Sequence, residues 1–244
     1  MQRFYKGVAV LMTNPVSDHI LQSMKTYYRE RAQEYDEWFY RLGRYNRSPE
    51  SNERWFAEVD EVLQALDNAR LEGDVLELAP GTGIWTERLL STAATITAVD
   101  ASPEMIAINQ ARFASECISY IQADLFSWRP ERTYDAVFFG FWISHVPLER
   151  LDAFLTSVAT MLRPAGKVFF VDGRREPSST AVDHRLPEPD SQTMVRKLND
   201  GRAFEIVKNF YDPTDLAARC DRAGLAVDVR ESATYFLYGS GSRC

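Results

Sequence analysis

Cysteine is scarce in this chain: its 244 residues include three, Cys117, Cys220 and Cys244. They are far apart, odd in number and in no C-x-x-C arrangement, which excludes a disulfide framework, gives no zinc site and fits a reducing, cytoplasmic location. Positive charge is also short, with 28 Lys and Arg against 35 Asp and Glu, a formal net charge of −7. That balance disfavours nucleic acid as a partner. Long apolar runs are missing too. The longest near the N-terminus, residues 7–12, falls short of a signal-peptide core and of the ~20 residues of a membrane span. No membrane association is expected. No internal repeat is visible, so solenoids and propellers have no support. What is present is 45% hydrophobic and 26% charged, the mixture of a folded globular chain, and the length suits one domain with an elaboration.

Residues 1–16 read as a leader, with 1–11 an upstream extension. Over 17–42 apolar and aromatic residues recur with a 3.6-residue rhythm, at Ile20, Leu21, Met24, Tyr27, Tyr28, Tyr35, Trp38 and Phe39, beside the caps Ser17 and Asp18. A second helix is expected over 53–68, so residues 17–70 form a helical N-terminal lid. Residues 71–244 change character: short apolar runs at 75–79, 95–100, 118–123, 135–141 and 167–172 alternate with helical segments at 85–91, 103–113 and 148–162. This is the pattern of βαβ units around a parallel sheet. It is lost over 173–211, read as an inserted cap with a hairpin across 194–198 and 204–210. It returns in a helix over 213–223 and two strand-like runs, 226–231 and 234–238.

The most informative segment is the strand Val75-Leu-Glu77-Leu-Ala79 running into Pro80-Gly81-Thr-Gly83 and a helix start. Glycine there lets backbone approach a ligand at positive φ. A dinucleotide site asks for a third glycine, where Thr86 stands, and Glu77 would face a pyrophosphate badly, so a nicotinamide-dependent oxidoreductase is disfavoured. Glu77 suits an ammonium. The second strand ends at Asp100, placed to accept both hydroxyls of a ribose. The third ends at Asp124, placed to accept from an adenine amine while the Leu125 amide donates to the ring, and Met105 can cover the adenine face. Acids at successive strand ends, beside a short glycine loop without a phosphate-binding lysine, describe an adenosine carrying an amino acid.

On the segments Glu77-Leu-Ala-Pro-Gly-Thr-Gly83, Val99-Asp100-Ala-Ser-Pro-Glu-Met105, Gln122-Ala-Asp124-Leu-Phe, Tyr134-Asp-Ala-Val-Phe-Phe and Leu162-Arg-Pro-Ala-Gly-Lys167, the chain resembles the class I S-adenosylmethionine-dependent methyltransferases over about residues 17–240. The resemblance implies an α/β fold with a Rossmann-like, seven-stranded, mainly parallel sheet, helices on both faces and the last strand antiparallel. It implies S-adenosylmethionine as cofactor and S-adenosylhomocysteine as product; no metal is required, because the thioether that leaves is neutral. Cofactor contacts are expected from Tyr35, Glu77, Ala79, Gly81, Gly83, Asp100, Ala101, Met105, Asp124, Leu125, Gly140 and Phe141. Ala79 departs from the family by replacing its first glycine.

Methyl transfer is an in-line displacement at a sulfonium carbon, so the protein must align the partners and exclude water. The neutral thioether leaving group needs no strong acid. The expected acceptor is a small molecule, methylated at oxygen; nitrogen or carbon methylation, and a cofactor-binding protein without catalysis, are the alternatives. His145 and Tyr28 are the candidate catalytic residues. His145 is either a general base, since its ordinary pKa lies near operating pH, or a packing residue that positions its loop. Tyr28 and Tyr35 share a helix face that either meets the sulfonium or belongs to an aromatic core stripe. Tyr27, Trp142, Arg174 and Arg175 are the candidate acceptor contacts. The cap gathers Arg174, Arg175, Arg185, Arg196 and Lys197. They either form a solvated charged face or, if two of the arginines converge, hold a carboxylate or phosphate. A monomer or a homodimer is compatible with all of this.

Overall fold

A computed structural model describes residues 15–244; residues 1–14 of the expected leader lie outside the described residues. The aromatic rhythm of 17–42 is split. Helix α1, Asp18–Glu30, starts where the Ser17 side chain accepts from the Ile20 amide, and it buries Leu21, Met24 and Tyr27. The chain then tightens into a 3₁₀ turn, Ala32–Glu37. Helix α2, Pro49–Ala69, begins four residues before the expected start at 53 because Ser48 caps it and Pro49 occupies its first turn.

The alternating pattern follows as β1 (Gly73–Leu78), α3 (Thr86–Leu89), β2 (Ala93–Asp100), α4 (Pro103–Arg112), β3 (Ile118–Gln122), β4 (Tyr134–Gly140), α5 (Leu148–Met161) and β5 (Leu162–Gly173). The inserted segment carries β6 (Thr193–Lys197) and β7 (Ala203–Val207), and the chain closes with α6 (Pro213–Arg222), β8 (Leu225–Glu231) and β9 (Phe236–Arg243). Seven strands form one sheet in the order β3-β2-β1-β4-β5-β9-β8. Neighbours from β3 to β5 pair in parallel, and β9 runs antiparallel to β5 and β8. This is the Rossmann-like, mainly parallel sheet expected, with its last strand antiparallel.

Strand residues alternate between two cores. On one face Phe138 and Phe169 lie with α2 residues Trp55, Val59 and Val62; on the other, Phe139 and Phe170 lie with α5 residues Leu151, Leu155 and Val158. The final strand runs later than the expected 234–238, because its Gly-Ser-Gly-Ser stretch reads as a loop. The glycines are there for space: a Cβ at Gly239 would collide with Phe170, and one at Gly241 with the backbone of Ala226. Helix 85–91 shrinks to a single turn.

A third core joins distant parts of the chain. Leu21, Met24 and Tyr27 of α1 pack on Met194, Leu198, Ile206 and Val207 of the β6–β7 hairpin. Helix and hairpin therefore form one roof, which stands where the strand order reverses between β1 and β4, the place open α/β sheets keep for ligands. Among the described residues no helix is long and apolar enough to cross a membrane.

Candidate functional site

Two cavities lie under that roof. The first, ≈ 730 Å³, is lined from the sheet side by Ala79, Gly81, Asp100, Ala101, Met105, Asp124, Leu125, Gly140 and Phe141 and from the roof by Met24, Lys25, Tyr28 and Tyr35. The loop after β1 turns back at Ala79 (φ 54°) and Gly81 (φ 56°). Asp100 braces it: its two oxygens accept from the Gly81 amide at 3.1 Å and the Ser102 amide at 2.8 Å. Burial nevertheless pushes the Asp100 carboxyl up to about 6. Burial also opposes ionisation of Asp124, but Lys25, 2.7 Å away on α1, and the Phe126 amide outweigh it and hold that carboxyl below the usual range.

Two residues expected at this cavity stand behind it. Glu77 is buried, takes a hydrogen bond from Thr86 Oγ1 at 2.7 Å and leaves its other oxygen without a partner. Burial pushes it up to about 8. Gly83 (φ 97°) packs on α4, where a Cβ would come within 2.6 Å of Phe113 and 3.1 Å of Asn109. Both residues shape the loop from beneath.

The second cavity, ≈ 620 Å³, shares a wall with the first, made of Tyr28, Tyr35, Phe141 and His145. His145 sits in the turn Ile143–His145. Segment 207–211 clamps that turn: Asn209 N donates to the Ser144 carbonyl at 2.8 Å and Tyr211 Oη to the Ile143 carbonyl at 2.9 Å. Burial, reinforced by nearby Lys208, pulls the His145 ring down to about 3, so it is neutral.

This second cavity is cationic. Arg31, Arg174, Arg196 and Lys208 all line it. Arg31 is 3% exposed and is caged by the rings of Tyr27, Tyr35 and Tyr45 at 5.5, 5.0 and 5.6 Å, with a hydrogen bond to Tyr45 Oη at 3.0 Å. Among the described residues no carboxylate pairs with Arg31 or with Arg196, whose buried Nε has no hydrogen-bond partner. Lys208 is neutralised: its ammonium bonds Asp172 at 2.9 Å and Ser144 Oγ at 2.8 Å, and it holds the Asp172 carboxyl low against burial. Arg174 is neutralised by Glu231 at 3.1 Å and donates to the Ser232 and Ala233 carbonyls.

The other expected acceptor contacts are dispersed. Arg175 donates to the Pro187 carbonyl and lines a separate surface hollow with Phe210 and Glu231. Tyr27 is fully buried against Phe204 and reaches neither cavity. Trp142 lines the first cavity, beside Phe126. Arg31 and Lys208 are not among the residues expected from the sequence, and Arg196 is there one charge among the five of the cap. A signal for Arg31 exists: it lies four residues from both Tyr27 and Tyr35, a lone guanidinium on an aromatic helix face.

A model of a methyltransferase domain matches residues 75–166. A ubiquinone biosynthesis O-methyltransferase of Xanthomonas euvesicatoria pv. vesicatoria is 27% identical over 194 residues, 73% of this chain and 77% of its own. Among solved structures, a DhpI–SAM–HEP complex is 38% identical, with a TM-score of 0.76 over 93% of this chain and 99% of that one. A DhpI–SAH complex is 36% identical, with a TM-score of 0.75 over 93% and 98%.

Proposed function

The chain belongs to the class I S-adenosylmethionine-dependent methyltransferases, and we propose that it methylates an oxygen of a small anionic acceptor bound in the second cavity. When bound, the cofactor supplies a methyl group on a sulfonium whose departure leaves a neutral thioether. The donor set of the first cavity fits it: acids at the ends of β2 and β3, two left-handed loop residues, and a single lysine, Lys25, whose charge is taken up by Asp124. Asp100 would take the ribose hydroxyls, Asp124 and the Leu125 amide the adenine edge, and Met105 the adenine face. Ala79, Gly81, Gly140 and Phe141 would flank the amino-acid end, near the unpaired oxygen of Glu77 beneath the loop.

The observation that carries the acceptor class is the pair Arg31 and Arg196. Two guanidinium groups in one roofed cavity with no acid opposite them are costly to keep there. A carboxylate or phosphate supplies the missing charge and matches their forked donors. With Lys208 and Arg174 already neutralised inside the protein, the cavity lacks two negative charges. The O-methyltransferase among the relatives supports oxygen as the receiving atom.

This reading also assigns His145. An ionised carboxylate or phosphate oxygen is already a nucleophile, so no base has to remove a proton from it. His145 and Tyr28 then align acceptor and methyl across the shared wall, and the α1–hairpin roof excludes water. The test is turnover of size-matched carboxylate, phosphate-monoester and neutral acceptors by wild type, Arg31→Met and Arg196→Met. The expected result is a preference for the anions, reduced about a hundredfold in kcat/KM by either change. Equal use of anionic and neutral acceptors by wild type would refute it.

A further inference from the structure

We propose that Thr180 is a further acceptor-binding residue, and that His184 is the positioning residue that turns the Thr180 hydroxyl proton toward the acceptor. The proposal rests on the anionic-acceptor reading and deepens it with a neutral donor.

One imidazole sets the direction of the Thr180 hydroxyl. The backbone amide of Lys197, in β6, donates to Nε2 of His184 at 2.9 Å. An amide can only donate, so Nε2 offers its lone pair and the ring proton of the neutral imidazole sits on Nδ1. Nδ1 lies 3.2 Å from Thr180 Oγ1, which therefore accepts. A hydroxyl carries one proton and two lone pairs. With one lone pair engaged by His184, and no second partner for the hydroxyl among the described residues, its proton is free for a ligand. Thr180 is 4% exposed and lines the second cavity together with Arg31 and Arg196.

The ring is held for this role. Arg44 pairs with the adjacent Asp183 at 3.1 Å and donates to the Lys197 carbonyl at 2.6 Å, and the Thr180 carbonyl accepts from Arg47 at 2.8 Å. Because Arg196 precedes Lys197 in β6, the bond to His184 also ties the Thr180 loop to the strand that carries that guanidinium. A donor with a fixed direction is what distinguishes one oxygen of an oxyanion from another, which two cations alone do not do.

The test is calorimetric titration of the full-length protein, saturated with S-adenosylhomocysteine, with inorganic phosphate and acetate as probes. Thr180→Val replaces the hydroxyl with a methyl of the same shape and is expected to weaken binding of the probe about tenfold, while Thr180→Ser stays near wild type. His184→Phe is expected to weaken binding less than Thr180→Val, and the double variant to bind no worse than Thr180→Val alone, because both changes remove one directed bond. Affinity for S-adenosylhomocysteine serves as the control for folding. Wild-type affinity in Thr180→Val overturns the role of Thr180, and additive losses in the double variant overturn that of His184. If wild type binds neither probe, the anionic-acceptor reading itself falls.

Discussion

The hydroxyl of Tyr28 lies 2.7 Å from Nε2 of His145, and the opposite ring nitrogen lies 2.6 Å from the carbonyl of Val207. A carbonyl can only accept, so Nδ1 carries the proton, Nε2 accepts from Tyr28, and the lone pairs of the tyrosine oxygen are left for the wall between the two cavities. A sequence motif, a helix and an inserted hairpin thus meet at one neutral imidazole.

With its pKa pulled to about 3 by burial and by Lys208, His145 stays neutral between pH 5 and 8. NMR of ring-labelled histidine should show no titration of its signal in that window, and kcat on a carboxylate acceptor should be flat across it. In stability the sign is that of a depressed base: the contribution is complete above the unfolded value near 6.5 and is lost as pH falls from there toward 3. A His145 titration close to 6.5 would contradict the assignment.

Asp100 should make cofactor binding pH-dependent. Its carboxyl is raised to about 6 by burial, and ribose hydroxyls favour the ionised form as acceptor. Affinity for S-adenosylhomocysteine is expected to be constant above about pH 7 and to weaken as pH falls below 6, approaching tenfold per unit. Asp100→Asn should bind weakly at pH 8 and show no such dependence. An unchanged pH profile in that variant would remove the role.

Two changes in one loop should move stability in opposite directions. Ala79 holds φ 54°, a left-handed conformation that costs an L-residue about 1 kcal/mol, so Ala79→Gly should raise thermal stability by about that amount. Gly83→Ala adds a Cβ at φ 97° within 2.6 Å of Phe113, and should cost about 2 to 4 kcal/mol from overpacking and backbone strain. Melting curves of the two variants decide both signs.

Asp36 should govern release of the cofactor product. From the 3₁₀ turn after α1 it accepts from Thr82 of the glycine loop and pairs with Arg112 of α4. The pair is partly exposed, so Asp36→Asn should change global stability by less than about 1 kcal/mol. Stopped-flow release of S-adenosylhomocysteine is nevertheless expected to quicken several-fold, since the roof loses its tie to the loop. An unaltered rate would show that the first cavity opens elsewhere.

The sheet and the glycine loop were readable from the chain because their signals are local. Apolar runs of strand length, Pro103 after Ser102, and acids at the ends of β2 and β3 lie within a few residues of what they organise. Where the local signal misled, neighbours were the cause: Gly239 and Gly241 read as loop, but they are the small residues that let β9 lie against Phe170 and the backbone of Ala226.

The acceptor cavity is different. By itself the chain determined the fold class, the cofactor family and the expectation of two converging cap arginines, though it pointed to Arg174 and Arg175. Tertiary structure decided which cations remain unneutralised in the cavity, because that depends on partners far away: Glu231 takes Arg174 and Asp172 takes Lys208, while Arg175 is turned out to a separate hollow, where it donates to the Pro187 carbonyl. Arg31 and Arg196 are 165 residues apart and share a cavity only because α1 packs on the β6–β7 hairpin. Charge can be counted in a sequence, but its compensation is a matter of distance, and distance belongs to the fold.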